Sequence, residues 1–300
     1  MRRRTALFVV ITSAACFATL AVLTRLAYAE GGRPLPLLSW RFAIAGVLMI
    51  GLLAVRRPGA LRDGLKDLPR YAALSFTGYG AASVCFFFSL QHITASVATV
   101  LLYAYPAIVA LIESALDRER IAPSRLGAIV MTFLGCALAA GVLDGAVEVN
   151  GTGIVLALGA ALGYALFTVL SDRLVGDRSR LVLMAYTFAL SAVGVGLVTV
   201  VVGEPLSPAG WTPRLWLILA LIVLVPTYAA VTLFLRGVRE LGASQASLVS
   251  AMEPVFTVVL AILLLGERLT IAQSAGAALV IGGIALAERP RKTPDVPAGL

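Results

Sequence analysis

Directly before a proline, in the middle of a long apolar run, stands Glu253, the side chain of this sequence best equipped for chemistry. A charged group at the bilayer centre costs about 2.5–3.5 kcal/mol on insertion scales, so intramembrane acids face a cavity or a partner. Pro254 lacks a backbone N–H, which frees a carbonyl and bends or breaks the helix beside the acid. Glu253 could bind a cationic or amino group of a solute there, or carry a proton. Its other reading is a packed, hydrogen-bonded carboxyl that only shapes the break. Glu113 is a shallower second candidate for proton carriage, with a snorkelling carboxylate paired to Arg118 or Arg120 as its alternative.

Pro106 stands at the same depth in an earlier apolar run, and broken helices at corresponding places are the best sequence pointer to a transporter's binding site. Both prolines are therefore candidate hinges. On the same two helices Thr99, Tyr103, Ser247 and Ser250 are candidate substrate-binding residues. Thr19, Tyr164 and Thr168 join them from the first and sixth helices, and Tyr79, Ser83, Phe86, Phe87, Thr227 and Tyr228 from the third and eighth. The competing account is structural, since Ser and Thr bond to their own helix and aromatics fill interhelical gaps. Arg41 is expected to snorkel to headgroups or to pair with Glu30.

Other chemistries lack raw material. One histidine, His92, and three cysteines inside apolar runs give no metal-ligand spacing, no disulfide framework and no catalytic constellation. No metal, cofactor or catalytic residue is expected, and no enzyme. No Gly-x-x-x-x-Gly-Lys-Ser/Thr stretch is present, which argues against direct drive by ATP. The net charge of +8 is scattered over short loops with no basic stripe, so no nucleic-acid partner is expected.

These side chains need helices in lipid to position them. Of the 300 residues, 60% are hydrophobic and 13% charged, against about 45–50% and 25% in soluble domains. Apolar runs separated by charged or Pro/Gly breaks place ten spans near 5–29, 36–55, 70–92, 94–115, 121–142, 151–173, 179–203, 212–236, 242–265 and 270–287. The first run is too long for a signal peptide. With the N-terminus cytoplasmic, the inner segments hold 19 of the 24 basic residues, the bias that sets orientation, so both termini are expected inside. A polar tail over 288–300 is expected to be disordered and cytoplasmic.

Sliding the chain 148 residues along itself matches Arg25-Leu26 to Arg173-Leu174, Ala95-Ser96 to Ala243-Ser244, Pro106 to Pro254, Glu119-Arg120 to Glu267-Arg268 and Gly135 to Gly283. Two repeats, 5–142 and 151–287, follow. Each holds five spans, an odd number, so the second inserts upside down relative to the first. The expected fold is an all-α integral membrane protein of ten transmembrane helices in two inverted five-helix repeats. Glu119-Arg120 and Glu267-Arg268 are expected to fix helix-to-helix turns through local ion pairs and caps.

The segment from Gly242 through Glu253-Pro254 to Gly266-Glu267-Arg268 resembles the closing part of an EamA domain of the drug/metabolite transporter superfamily. Asp117-Arg118 departs from the Leu-Gly usual before the glutamate in the first half. The resemblance implies a ten-helix carrier of the bacterial inner membrane, commonly an exporter of amino acids or other metabolites, driven by a proton gradient or by exchange. The partners it implies are a small-molecule substrate and the lipid bilayer. Two repeats in one chain make a monomer sufficient, with a homodimer left open. A receptor or assembly scaffold is the alternative, though it has no need of a buried acid.

Overall fold

A computed structural model describes residues 3–118, 123–139, 150–175, 180–241 and 243–287, and among these every regular element is helical. The first half contains α1 (Arg3–Ala29), α2 (Pro34–Arg56), α3 (Pro58–Gly64), α4 (Leu68–Ala73), α5 (Gly80–Ser89), α6 (Ala95–Leu102), α7 (Tyr105–Asp117) and α8 (Pro123–Ala139). The second contains α9 (Gly151–Val175), α10 (Arg180–Val201), α11 (Pro213–Ile222), α12 (Ala230–Leu241), α13 (Ala243–Ser250), α14 (Glu253–Leu265) and α15 (Ile271–Ala287). Among the described residues, seven helical segments are long and apolar enough to cross a membrane, one of them the broken α6–α7 pair, and three shorter apolar helices accompany them, 126–139, Glu253–Leu265 and 271–286. The tail over 288–300, Glu119 and Arg120 lie outside the described residues.

Helix starts follow local sequence. Thr94 and Thr212 cap α6 and α11 by accepting from the backbone N–H groups of Val97 and Leu215. Thr270 and Gln273 exchange side-chain bonds at 3.1 Å in both directions, a capping box that opens α15. The third segment begins at Pro58, earlier than the expected residue 70, because Pro58 and Pro69 both stand in first helical turns, where a missing N–H costs nothing.

Side chains are sorted as in a protein solvated by lipid. On α10, Thr187, Ser191 and Thr199 are buried while Val193, Leu197, Val200 and Val201 are exposed. Of these, Thr199 bonds between helices, to Ser39 at 3.0 Å. Small residues allow close approach between α8 and α15, where a Cβ on Gly135 would stand 2.7 Å from the Gly276 carbonyl oxygen.

Packing exchanges elements between the halves. α1 packs on α12, α13 and α14 of the second half, and α9 packs on α5, α6 and α7 of the first. α2 pairs with α10, and α8 with α15. Since residue numbers 148 apart relate each of these pairs, this reciprocity is what a two-fold axis between the halves produces.

Local irregularities obey the same register. Wide turns of the π type occur over Leu74–Tyr79, between α4 and α5, and over Val223–Ala229, between α11 and α12. In the second, Pro226 removes a backbone donor. In the first, the Ser75 and Thr77 hydroxyls bond back to the carbonyls of Tyr71 and Ala73.

Candidate functional site

Both helices that carry the candidate prolines are interrupted, at equivalent places. α6 stops at Leu102 and α7 restarts at Tyr105; α13 stops at Ser250 and α14 restarts at Glu253. The backbone closes identically at each break: Ala104 N–H donates to Leu101 O at 3.0 Å and Met252 N–H to Val249 O at 3.2 Å. Pro106 and Pro254 sit in the first turn of the new helix, so the prolines open helices where the sequence had them bend helix interiors. Glu253 thereby occupies the first turn of α14, where the N-terminal end of the helix dipole favours a negative group.

The two breaks meet. Tyr103, in the turn of the first, donates to Glu253 Oε2 at 2.8 Å and lies 3.2 Å from the Ser250 carbonyl oxygen. Tyr103 is buried, and the Ser250 hydroxyl, on the residue whose carbonyl lies beside this bond, is buried with no hydrogen-bond partner among the described residues, as are the hydroxyls of Thr99, one turn before Tyr103, and of Thr187 and Ser191 on α10. A buried hydroxyl left unpaired costs about 1–3 kcal/mol, and neither Glu253 nor Thr99 is among the residues that line the neighbouring cavity.

A cavity of about 300 Å³ adjoins the pair, lined by Tyr103, Tyr105, Pro106, Glu113, Thr132, Thr168, Ser250 and Ile284 among others. Glu113 thus faces a cavity, and among the described residues no basic side chain reaches it, so the pairing expected with Arg118 does not form. Thr168 bonds to the Tyr164 carbonyl at 2.8 Å. Tyr164 stacks edge-on against Tyr105, 4.8 Å between centroids, and Tyr105 against Tyr103 at 5.8 Å. Tyr79 extends this row of rings, 6.3 Å from Tyr164. Phe87 is fully buried beneath Arg41, while Ser83 and Tyr228 are half-buried and do not line the cavity. The Ser247 side chain lies outside the described residues.

Two expectations are corrected. Glu30 pairs with Arg214 at 3.0 Å, and Arg41 neither joins it nor snorkels; it is 3% exposed and points into the bundle. Glu267 does not serve its own turn. It accepts from the N–H groups of Ala95 and Ser96 at 2.7 and 3.1 Å and from the Ser96 hydroxyl at 2.6 Å, capping α6 in the other half. Sequence reasoning passed over Tyr105. The register could have found it, since Tyr105 aligns with Glu253.

Comparison with known proteins bears on this geometry. The profile of the EamA-like transporter family matches residues 4–141 and again 151–288. The chain belongs to the EamA-like transporter family. An uncharacterized transporter, YcbK of Bacillus subtilis strain 168, is 29% identical over 272 residues, covering 87% of this chain and 85% of the relative. YwfM of the same organism, also an uncharacterized transporter, is 28% identical over 270 residues, covering 88% and 87%. An uncharacterized transporter of Archaeoglobus fulgidus is 25% identical over 258 residues, covering 86% and 90%. A crystal structure matches with a TM-score of 0.65 over 95% of this chain and 96% of that one; at 22% identity it shows the fold alone. This EamA-like protein is accordingly a multi-pass membrane protein of a transporter family.

Proposed function

We propose that this chain is a secondary active transporter that moves small metabolites across the cytoplasmic membrane by alternating access, with Glu253 at its binding centre. The observation that carries this reading is the meeting of two equivalently broken helices at the Tyr103–Glu253 bond, with Tyr103 and the unpartnered Ser250 hydroxyl at a cavity of about 300 Å³. Short helices joined by two-residue turns pivot more easily than a continuous span, and binding sites of such folds lie where broken helices meet. The ten-span, inverted-repeat arrangement is part of the proposal, and exchanged packing of α1 and α9 supports it. The distribution of arginines supports an inner membrane with both termini cytoplasmic, and export of amino acids or related amphipathic solutes is the reading that the resemblance to EamA domains implies.

In this mechanism solute reaches the cavity, exchanges Tyr103 for its own polar group on the Glu253 carboxylate, and takes up Thr99 and Ser250. The Glu267 cap, which ties the end of α14 to the start of α6, holds one end of the bundle shut. Opening that end breaks the cap, and closing the opposite end compensates. A proton on Glu253 or Glu113 would substitute for solute on the return step.

The test compares metabolites released by bacterial cells expressing wild type, Glu253→Gln or an empty vector at matched membrane levels. A solute whose release rises with wild type and returns to baseline with Glu253→Gln is the expected result. Equal release by both proteins would remove Glu253 from the site. If no solute differs from the empty vector, and supplied amino acids, drugs and sugars also fail to move, the transport reading falls.

A further inference from the structure

Arg41 is a buried cation whose partners are all neutral. Its Nε donates to Thr227 Oγ1 at 3.0 Å, its guanidinium faces the Tyr79 hydroxyl, and the rings of Phe42 and Phe87 lie 5.3 and 5.5 Å away. Among the described residues no carboxylate comes within ion-pair distance of it. Hydroxyls and ring faces hold the side chain in place without neutralising it. The fork of a guanidinium, built for two parallel bonds to a carboxylate, keeps donors to spare.

Its position is as telling as its charge. Tyr79 and Thr227 are 148 residues apart, so they are the same place in the two halves, each at or near the end of a wide turn. A group that reaches both equivalents lies where the two-fold axis passes, at the centre of the molecule. From Tyr79 the row of rings runs through Tyr164 and Tyr105 to Tyr103, centroid steps of 6.3, 4.8 and 5.8 Å, and ends on Glu253. A cation and an acid thus bracket one aromatic row.

We propose that Arg41 is the anion subsite of the central binding site, and that it takes the carboxylate of the transported solute. The proposal rests on the transport reading and narrows it: solutes carry a carboxylate, which Arg41 selects. In the conformation described here Arg41 is sealed, so its fork becomes available when one end of the bundle opens. A purely structural Arg41, pinning the two wide turns together, would stabilise the fold without selecting any ligand.

The test is binding, read as a thermal shift of the purified full chain in micelles. Hexanoate, phenylacetate and leucine are compared with hexanamide, phenylacetamide and leucinamide at constant ionic strength, with sodium chloride as the inorganic anion. At least one carboxylate should bind about tenfold or more tightly than its amide, the loss expected when a charge-assisted pair becomes neutral. Arg41→Gln should abolish that discrimination and Arg41→Lys should keep part of it. Equal shifts by every acid and its amide, equal shifts by chloride, or full discrimination by Arg41→Gln would each overturn the proposal. Should Arg41→Gln fail to fold, the wild-type acid and amide pairs decide it alone. Because this series reads binding, its failure is separate from a failure to move solute in cells.

Discussion

At the break between α6 and α7 the first half presents Tyr103 and Tyr105, and at the matching break the second half presents Ala251 and Glu253. The backbones repeat one another in the closing turns at Ala104 and Met252 and in the bonds that these residues accept from Ile108 and Phe256. The side chains do not repeat. A symmetric pair of carboxylates at the axis would repel, each disfavouring ionisation of the other. Setting a tyrosine hydroxyl across from a single carboxylate gives one acceptor with one displaceable donor. The same contrast holds where α7 and α14 end. Gly266 closes α14 with a φ of 66°, while Arg118 closes α7 with a φ of 54° in the left-handed region that disfavours a side chain. Symmetry belongs to the frame, and the chemistry is carried by the departures from it.

Four substitutions would break or sharpen this contrast. Glu253→Gln has the largest effect, since it removes the charge that only one half supplies. Solute flux should fall about ten- to hundredfold, the span of one lost charge-assisted bond, with protein levels unchanged. Release assays in cells at matched expression check it. Next, Glu267→Ala leaves Ala95 N–H, Ser96 N–H and the Ser96 hydroxyl without their acceptor. Stability should drop by about 2–3 kcal/mol in a denaturing-detergent titration. Ser96→Ala in that background should cost little more, because the two residues act as one unit.

Arg118→Gly makes the two helix ends alike. Removing the side chain from a left-handed position should raise stability by about 1 kcal/mol in the same titration, leaving flux as it was. A loss of stability would show that the arginine side chain contributes more than its backbone costs. Thr99→Val has the smallest effect on the fold. It replaces a buried hydroxyl that lacks a partner, so stability should stay within about 1 kcal/mol or rise, while solute affinity falls. A clear destabilisation would mean that the hydroxyl is satisfied in the protein and is not waiting for a ligand.

Much of the frame was legible because its signals are local. Apolar runs between charged or Pro/Gly breaks placed the helices, and a shared register of Pro106 with Pro254 located both breaks. Glu253 was legible as an acid in a run that ought to exclude one. Partners distant in sequence were not legible. Nothing beside Arg41 says that Thr227 will accept from it, 186 residues on, and a short loop made Glu30 the natural expectation. Glu267 likewise looked like a residue of its own turn until the fold brought α6 within reach. The repeat held both answers, since it pairs Tyr79 with Thr227 and Ala95-Ser96 with Ala243-Ser244, but a register gives equivalence and only folding gives contact.

The exchange of α1 and α9 between the halves also sets an order of events during synthesis. α1 leaves the ribosome first, yet apart from the bonds of Arg25 and Tyr28 to the carbonyls of Leu90 and Phe87 and a contact with α6, the elements it packs on come last; the Ser13 hydroxyl finds its acceptor at Ala230, 217 residues later, at 2.7 Å. At 5–20 residues per second that interval is on the order of 10–40 s. Through it α1 must be stable in lipid or held by the insertion machinery, with Ser13 bonded only within its own helix. α9 faces no such delay, because α5, α6 and α7 are already made when it emerges. Chains stalled after α9 should therefore crosslink through α9 to the first half while α1 still crosslinks to lipid or to the translocon, and an early capture of α1 would mean that a transient partner stands in for the unfinished second half.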